Sequence, residues 1–137
     1  MNRHLWAVGV LALAWPAWVS AQTQTVERTA KGQTGKDIQI GVYVNVLADC
    51  TSGPLPTIRL SSAPAHGKIV VKRAKASATN FKQCLAFEVP AFVAMYRSQP
   101  AFSGTDVMII EVKYPGGRSE IQRITVEIGP SGSGQPI

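Results

Sequence analysis

The residues suited to chemistry in this chain are few. Cys50 and Cys84 are its two cysteines, and His66 is its one histidine beyond His4. The cysteines lack the C-x-x-C spacing of a redox pair. A zinc site would ask for two further ligands beside them, and His66 is the one histidine at hand. His66 with Asp106 and Ser61, Ser62 or Ser103 supplies the inventory of a Ser-His-Asp triad, but no serine sits in a G-x-S-x-G elbow. Glu27, Asp37, Asp49, Glu88, Asp106, Glu111, Glu120 and Glu127 are the carboxylates. They form no D-x-D-x-D calcium loop, and nothing pairs two of them as glycoside hydrolysis requires. The glycine-rich pieces lack the Lys-Ser/Thr of a phosphate loop. No catalytic residues, metal or cofactor are therefore expected, and the chain reads as a non-enzyme. His66 is expected as a turn residue with its ring bonded to a neighbouring strand. Asp106, just after Gly104-Thr105, is expected as a turn cap worth about 1 kcal/mol, the usual size of a capping loss.

Lys68, Lys72, Arg73, Lys75 and Lys82 form the one basic cluster. It could bind an anionic polymer or an acidic protein, or it could be a solvated face whose charges protect a sheet edge. No aromatic residue interleaves with it before Phe81, so the stacking signature of single-stranded nucleic-acid binding is missing. No nucleic-acid partner is expected.

The N-terminus says where these residues work. Met1 to His4 is short and basic, Leu5 to Trp18 is nearly all apolar, and Val19-Ser20-Ala21 offers small residues at a cleavage site. This is the layout of a secretory signal over residues 1–21. The apolar run is shorter than the roughly 20 residues of a membrane span, and no second run follows. The expected product starts at Gln22 and is periplasmic or secreted. Its net charge falls from +6 to +5, because only Arg3 leaves. That charge biases encounters toward anionic surfaces. In an exported chain the two cysteines are expected to form a disulfide, and closing a loop of this length stabilises a fold by roughly 3–4 kcal/mol.

The elements that must position these residues read as strands. Ile38, Ile40, Val42, Val44 and Val46 alternate with polar or small residues, which is the signature of a half-buried strand. Short strands are expected at 57–60 and 68–72. Another is expected at 87–96, interrupted by Pro90 and therefore broken or at an edge. Alternation recurs at 107–114 and 124–128, with Pro115-Gly116-Gly117 joining the two. Segments 74–86 and 97–106 read as loops. Residues 22–37 show no apolar periodicity and read as a flexible arm, and 129–137 as a flexible tail. The expected fold is all-β, an antiparallel sandwich of about seven strands over 38–128 with one disulfide.

Two stretches carry a family likeness. Pro64-Ala65-His66-Gly67-Lys68-Ile69 resembles the P-x-H-G-x-V strand opening of bacterial Ig-like and cadherin-like surface modules. Tyr96 followed by Phe102-Ser103-Gly104-Thr105-Asp106 resembles their Y-x5-F-x-G-T-D stretch. The likeness spans about Pro64 to Ile128. It implies an Ig-like sandwich, extracellular and without catalysis, in which Pro64, His66, Gly67, Gly104 and Asp106 are structural turn residues. The Asp-rich end that would hold calcium in that family is replaced here by Lys113 to Gly117, and a single copy is present. The expected function is an exported binding module that meets another exported protein or an anionic envelope polymer. The alternative is a small secreted inhibitor or a chaperone-like accessory.

Overall fold

A computed structural model describes residues 9–15, 23–77, 82–85 and 87–130. Seven strands follow one another: β1 (Thr23–Gln33), β2 (Ile38–Tyr43), β3 (Thr57–Ser62), β4 (Gly67–Ser77), β5 (Glu88–Ser98), β6 (Gly104–Lys113) and β7 (Ser119–Gly129). A one-turn 3-10 helix, Lys82–Cys84, precedes β5. The strands form a four-stranded sheet, β1-β7-β6-β3, and a three-stranded sheet, β2-β5-β4. The core lies between the sheets. Ile38, Ile40, Tyr43, Ala94 and Tyr96 face inward from the smaller sheet, and Met108, Ile110, Val112, Ile124, Val126 and Ile128 from the larger. In β5, β6 and β7 these are alternating positions, since successive side chains of a strand point to opposite faces. In β2 a register shift between Gln39 and Gly41 breaks the expected alternation, so Tyr43 and not Val42 turns inward, and the strand ends at Tyr43, short of Val44 and Val46. The fold is thus an all-β sandwich with one disulfide, Cys50–Cys84.

Besides β2, three segments depart from the sequence reading. Residues 22–37, read as a flexible arm, carry β1, which pairs in parallel with β7 from Thr23↔Ser119 to Gln33↔Gly129. Pairing there runs through the backbone, and within β1 only Val26, Ala30, Gly32 and Gln33 are even half-buried. Such a strand need not show apolar alternation. It also makes one pair parallel, where the other four are antiparallel. The strand expected at 68–72 runs on to Ser77, taking up the start of the expected 74–86 loop. Its continuation is Lys- and Ala-rich and exposed, so hydrophobic patterning does not mark it.

β5 is unbroken and central, although it contains Pro90. β2 pairs with β5 only as far as Tyr43↔Phe92, whereas β4 pairs with it through Pro90 to Glu88. Pro90 therefore lies where β5 has one neighbour, and the missing N–H falls at a local edge, the place where sheets tolerate proline. A smaller cluster of Val46, Cys84 and Val89, with Val44 and Cys50 against it, packs beside this end of β5.

Candidate functional site

The two family-like stretches meet at Asp106. Its buried carboxylate accepts from the backbone N–H of Ala65 at 2.9 Å and of Val107 at 3.0 Å through Oδ1. Through Oδ2 it accepts from the N–H of His66 at 2.9 Å and from the Tyr96 hydroxyl at 2.7 Å. Burial opposes its charge, but the bonds from Tyr96 and from the three N–H groups outweigh burial and hold the carboxyl below its ordinary range. The same node pushes the Tyr96 hydroxyl up, chiefly by burial and then by its bond to Asp106.

The other motif residues make room for this node. A Cβ on Gly67 would lie 2.5 Å from the Tyr96 ring, so glycine lets the ring reach across β4 to Asp106. Gly104 has a φ of 135°, which side-chain-bearing residues rarely adopt. The exposed His66 ring lies flat on Phe102, with centroids 4.0 Å apart and planes 6° from parallel. His66 thus contacts its neighbour by stacking, where sequence led us to expect a ring hydrogen bond. Its carbonyl accepts from Gln99 N at 2.9 Å, closing the turn that starts at the half-buried Pro64. Asp106, His66 and the turn around them are occupied in holding β4, β5 and β6 together.

A second buried polar contact joins the sheets. Tyr43 on β2 donates to Gln122 Oε1 on β7 at 2.6 Å, and Gln122 Nε2 donates to Glu120 at 2.7 Å. Burial pushes Tyr43 up to about 12. The sequence reading missed this pair, because its partners are 79 residues apart and Gln122 lies in an otherwise alternating strand. It also missed Thr34, whose hydroxyl donates to the Phe102 carbonyl at 2.7 Å while its N–H donates to the Gly129 carbonyl at 2.9 Å, pinning the end of β1. Among the described residues no buried side-chain nitrogen or oxygen lacks a partner, and no group of three His, Cys, Asp or Glu residues is placed to hold a metal ion.

The disulfide ties the turn after β2 to the 3-10 helix before β5, with Cα atoms 5.2 Å apart. Cys84 is fully buried. Cys50 closes a turn by donating its N–H to the Leu47 carbonyl, and among the described residues it is the one non-glycine with positive φ, at 67°. Asp49 braces the turn by accepting from the Thr51 N–H.

The basic cluster does not form one patch. Lys68 and Lys72 lie on the outer face of the β2-β5-β4 sheet, where they line a shallow depression with Asp37, Val70, Met95 and Arg97. Arg97 forms an ion pair with Asp37 at 2.8 Å and stands directly opposite Lys68. Val42 and Val93 pair next to Lys72 and extend the apolar middle of this face. Arg73 points to the opposite side of β4, its guanidinium 5.5 Å from the centre of the Phe92 ring. Strand alternation gives Lys75 the same direction. Lys82 opens the 3-10 helix. The smaller sheet therefore presents a cation-rimmed apolar face and, around its β4 edge, further cations.

The chain matches no protein-family model, and no curated protein is similar enough to count as a relative.

Proposed function

We propose that the protein is exported and works as a non-catalytic Ig-like binding module of the periplasm or cell surface, engaging an exported protein or an anionic envelope polymer. The observation that carries this reading is the outer face of β2-β5-β4. There Val70 is 51% and Val42 39% exposed, with Lys68, Lys72 and Arg97 around them. An apolar patch rimmed by charge is what a binding surface offers, and isolated exposed apolar residues are not. The four-against-three strand arrangement and the Asp106 node support the Ig-like assignment. Export is supported by the leader: Val10, Leu11, Leu13 and Trp15 are 78–89% exposed and pack on nothing in the sandwich. Removing them takes away apolar surface that a soluble product would otherwise carry.

The test is to express the full chain in a bacterial host, recover the processed product and sequence its N-terminus, expected at Gln22. The product is then immobilised and washed with envelope extract at low salt. A polymer or a stoichiometric protein that elutes as salt is raised supports the reading. An unprocessed cytoplasmic product, or no retained component, overturns it.

A further inference from the structure

We propose that β4 is a docking edge, to which an extended acidic segment of a partner protein adds as a further strand of the β2-β5-β4 sheet. The proposal rests on reading the protein as a binding module and specifies how it would bind. Three observations lead to it. First, β4 is a sheet edge of eleven residues, paired with β5 from Gly67↔Ser98 to Ser77↔Glu88 with no shift in register. Its outer side therefore leaves a continuous row of alternating N–H and C=O groups for another strand. The neighbouring edge, β3, has six residues and a register shift between Leu60 and Ser62. The other long edge, β1, lies beside β2 on the far side of the sandwich.

Second, the space between β4 and β3 is an apolar groove of about 510 Å³, lined by Leu55, Pro56, Ile58, Val71 and Phe92. Val71 is 41% exposed there, and Leu60 on β3 is 44% exposed. A strand laid along β4 would turn alternate side chains into this groove and the others toward the outer face.

Third, charge selects the occupant. β4 carries Lys68, Lys72, Arg73 and Lys75 and no acidic residue. Two copies pairing β4 to β4 would bring these cations together, and like charges directly opposite are destabilising. A strand with carboxylates finds a cation on each face of β4: Lys68 and Lys72 on the outer face, Arg73 and Lys75 on the groove side. The edge thus disfavours self-pairing and favours an acidic strand with apolar residues between its charges.

The probes are a nine-residue capped peptide alternating Glu and Val and its counterpart alternating Lys and Val, added to the isotope-labelled processed protein. With the acidic peptide, hydrogen exchange at alternate amides of β4 should slow at least fivefold. The effect should vanish in high salt, and the lysine peptide should produce none. The apolar side chains of such a peptide enter the groove and its carboxylates face Lys68 and Lys72. Lys68→Glu/Lys72→Glu, both exposed, should keep the wild-type melting temperature and weaken binding of the acidic peptide at least tenfold. The proposal is overturned if β4 amides are unprotected, if protection maps to β1 or β2, if both peptides bind alike, or if the double variant binds undiminished. Should the peptide fail while the immobilised protein still retains envelope material, strand addition falls and the binding-module reading stands. If both fail, both readings fall.

Discussion

The Tyr96 hydroxyl donates to Asp106 Oδ2 at 2.7 Å, joining a residue of the smaller sheet to one of the larger inside the sandwich. Because the same carboxylate also takes three backbone N–H groups, its loss leaves four donors without an acceptor. Asp106→Ala is expected to cost about 2–4 kcal/mol, since bonds to charged groups are worth more than neutral ones. That exceeds the simple capping loss expected from sequence. Tyr96→Phe, which removes one donor and leaves the acceptor otherwise satisfied, should cost about 1 kcal/mol. Chemical denaturation of the two variants checks the order.

The same node sets the acid limb of stability. The folded Asp106 carboxyl lies below its ordinary value of 3.8, so its contribution is present above that value and is lost as pH falls through the lower folded one. Melting temperature should therefore drop below about pH 4. In Asp106→Asn that drop should be shallower, and the gap between variant and wild type should narrow as pH falls. Equal acid slopes would show that the carboxylate is not the group involved.

Gly67→Ala places a methyl against the Tyr96 ring and should destabilise by about 1–3 kcal/mol, as overpacking does. That methyl would also come within 2.6 Å of the Arg97 carbonyl oxygen, so in a Tyr96→Leu background the same substitution should lose only the part of its cost that the ring imposes. A double-mutant cycle measured by thermal melting reads this coupling, and additive effects would deny the contact.

At high pH the tyrosines report the core. Tyr43, Tyr96 and Tyr114 all titrate above their ordinary value, each first because of burial. A raised phenol contributes stability below about pH 10, and for Tyr43 that contribution is lost as pH rises toward about 12. Tyrosinate absorbance should appear only above pH 10 and should rise together with unfolding. Tyr43→Phe should flatten the alkaline loss and, by stranding Gln122 Oε1, cost about 1–2 kcal/mol at neutral pH.

The Cys50–Cys84 bond encloses a long loop and buries Cys84 against Val46 and Val89. Cys50→Ser/Cys84→Ser should lose about 3–4 kcal/mol. Wild type purified without reductant should show no reactive thiol.

Sequence was most informative where one side of a strand is buried. β6 and β7 alternate because Ile, Val and Met face a core and their neighbours do not, whereas in β2 the register shift at Gly41, which apolar spacing does not reveal, turns Val42 out and Tyr43 in. β1 was hidden because backbone pairing to β7 carries it. The far half of β4 was hidden because Lys, Arg and Ala on an exposed edge look like a loop. Pro90 misled because a proline signals an edge, and the edge here is local. Asp106 and Tyr96 were legible as a spacing, but the reason Gly67 must be glycine needs the ring that lies over it. The five basic residues read as one cluster along the sequence, but four of them lie on β4, where alternation sends Lys68 and Lys72 to one face and Arg73 and Lys75 to the other, and Lys82 lies on the 3-10 helix.

The central claim is that the cationic surface of the β2-β5-β4 sheet binds a partner outside the cytoplasm. Its most direct test is the quantity of envelope component retained by immobilised wild type, by Lys68→Glu/Lys72→Glu/Arg73→Glu/Lys75→Glu and by His66→Ala, all confirmed folded by their melting curves. Wild type and His66→Ala should retain the same component in similar amount, and the quadruple variant should retain less than a tenth as much. Equal retention by the quadruple variant, or loss in His66→Ala with its stability intact, would contradict the claim.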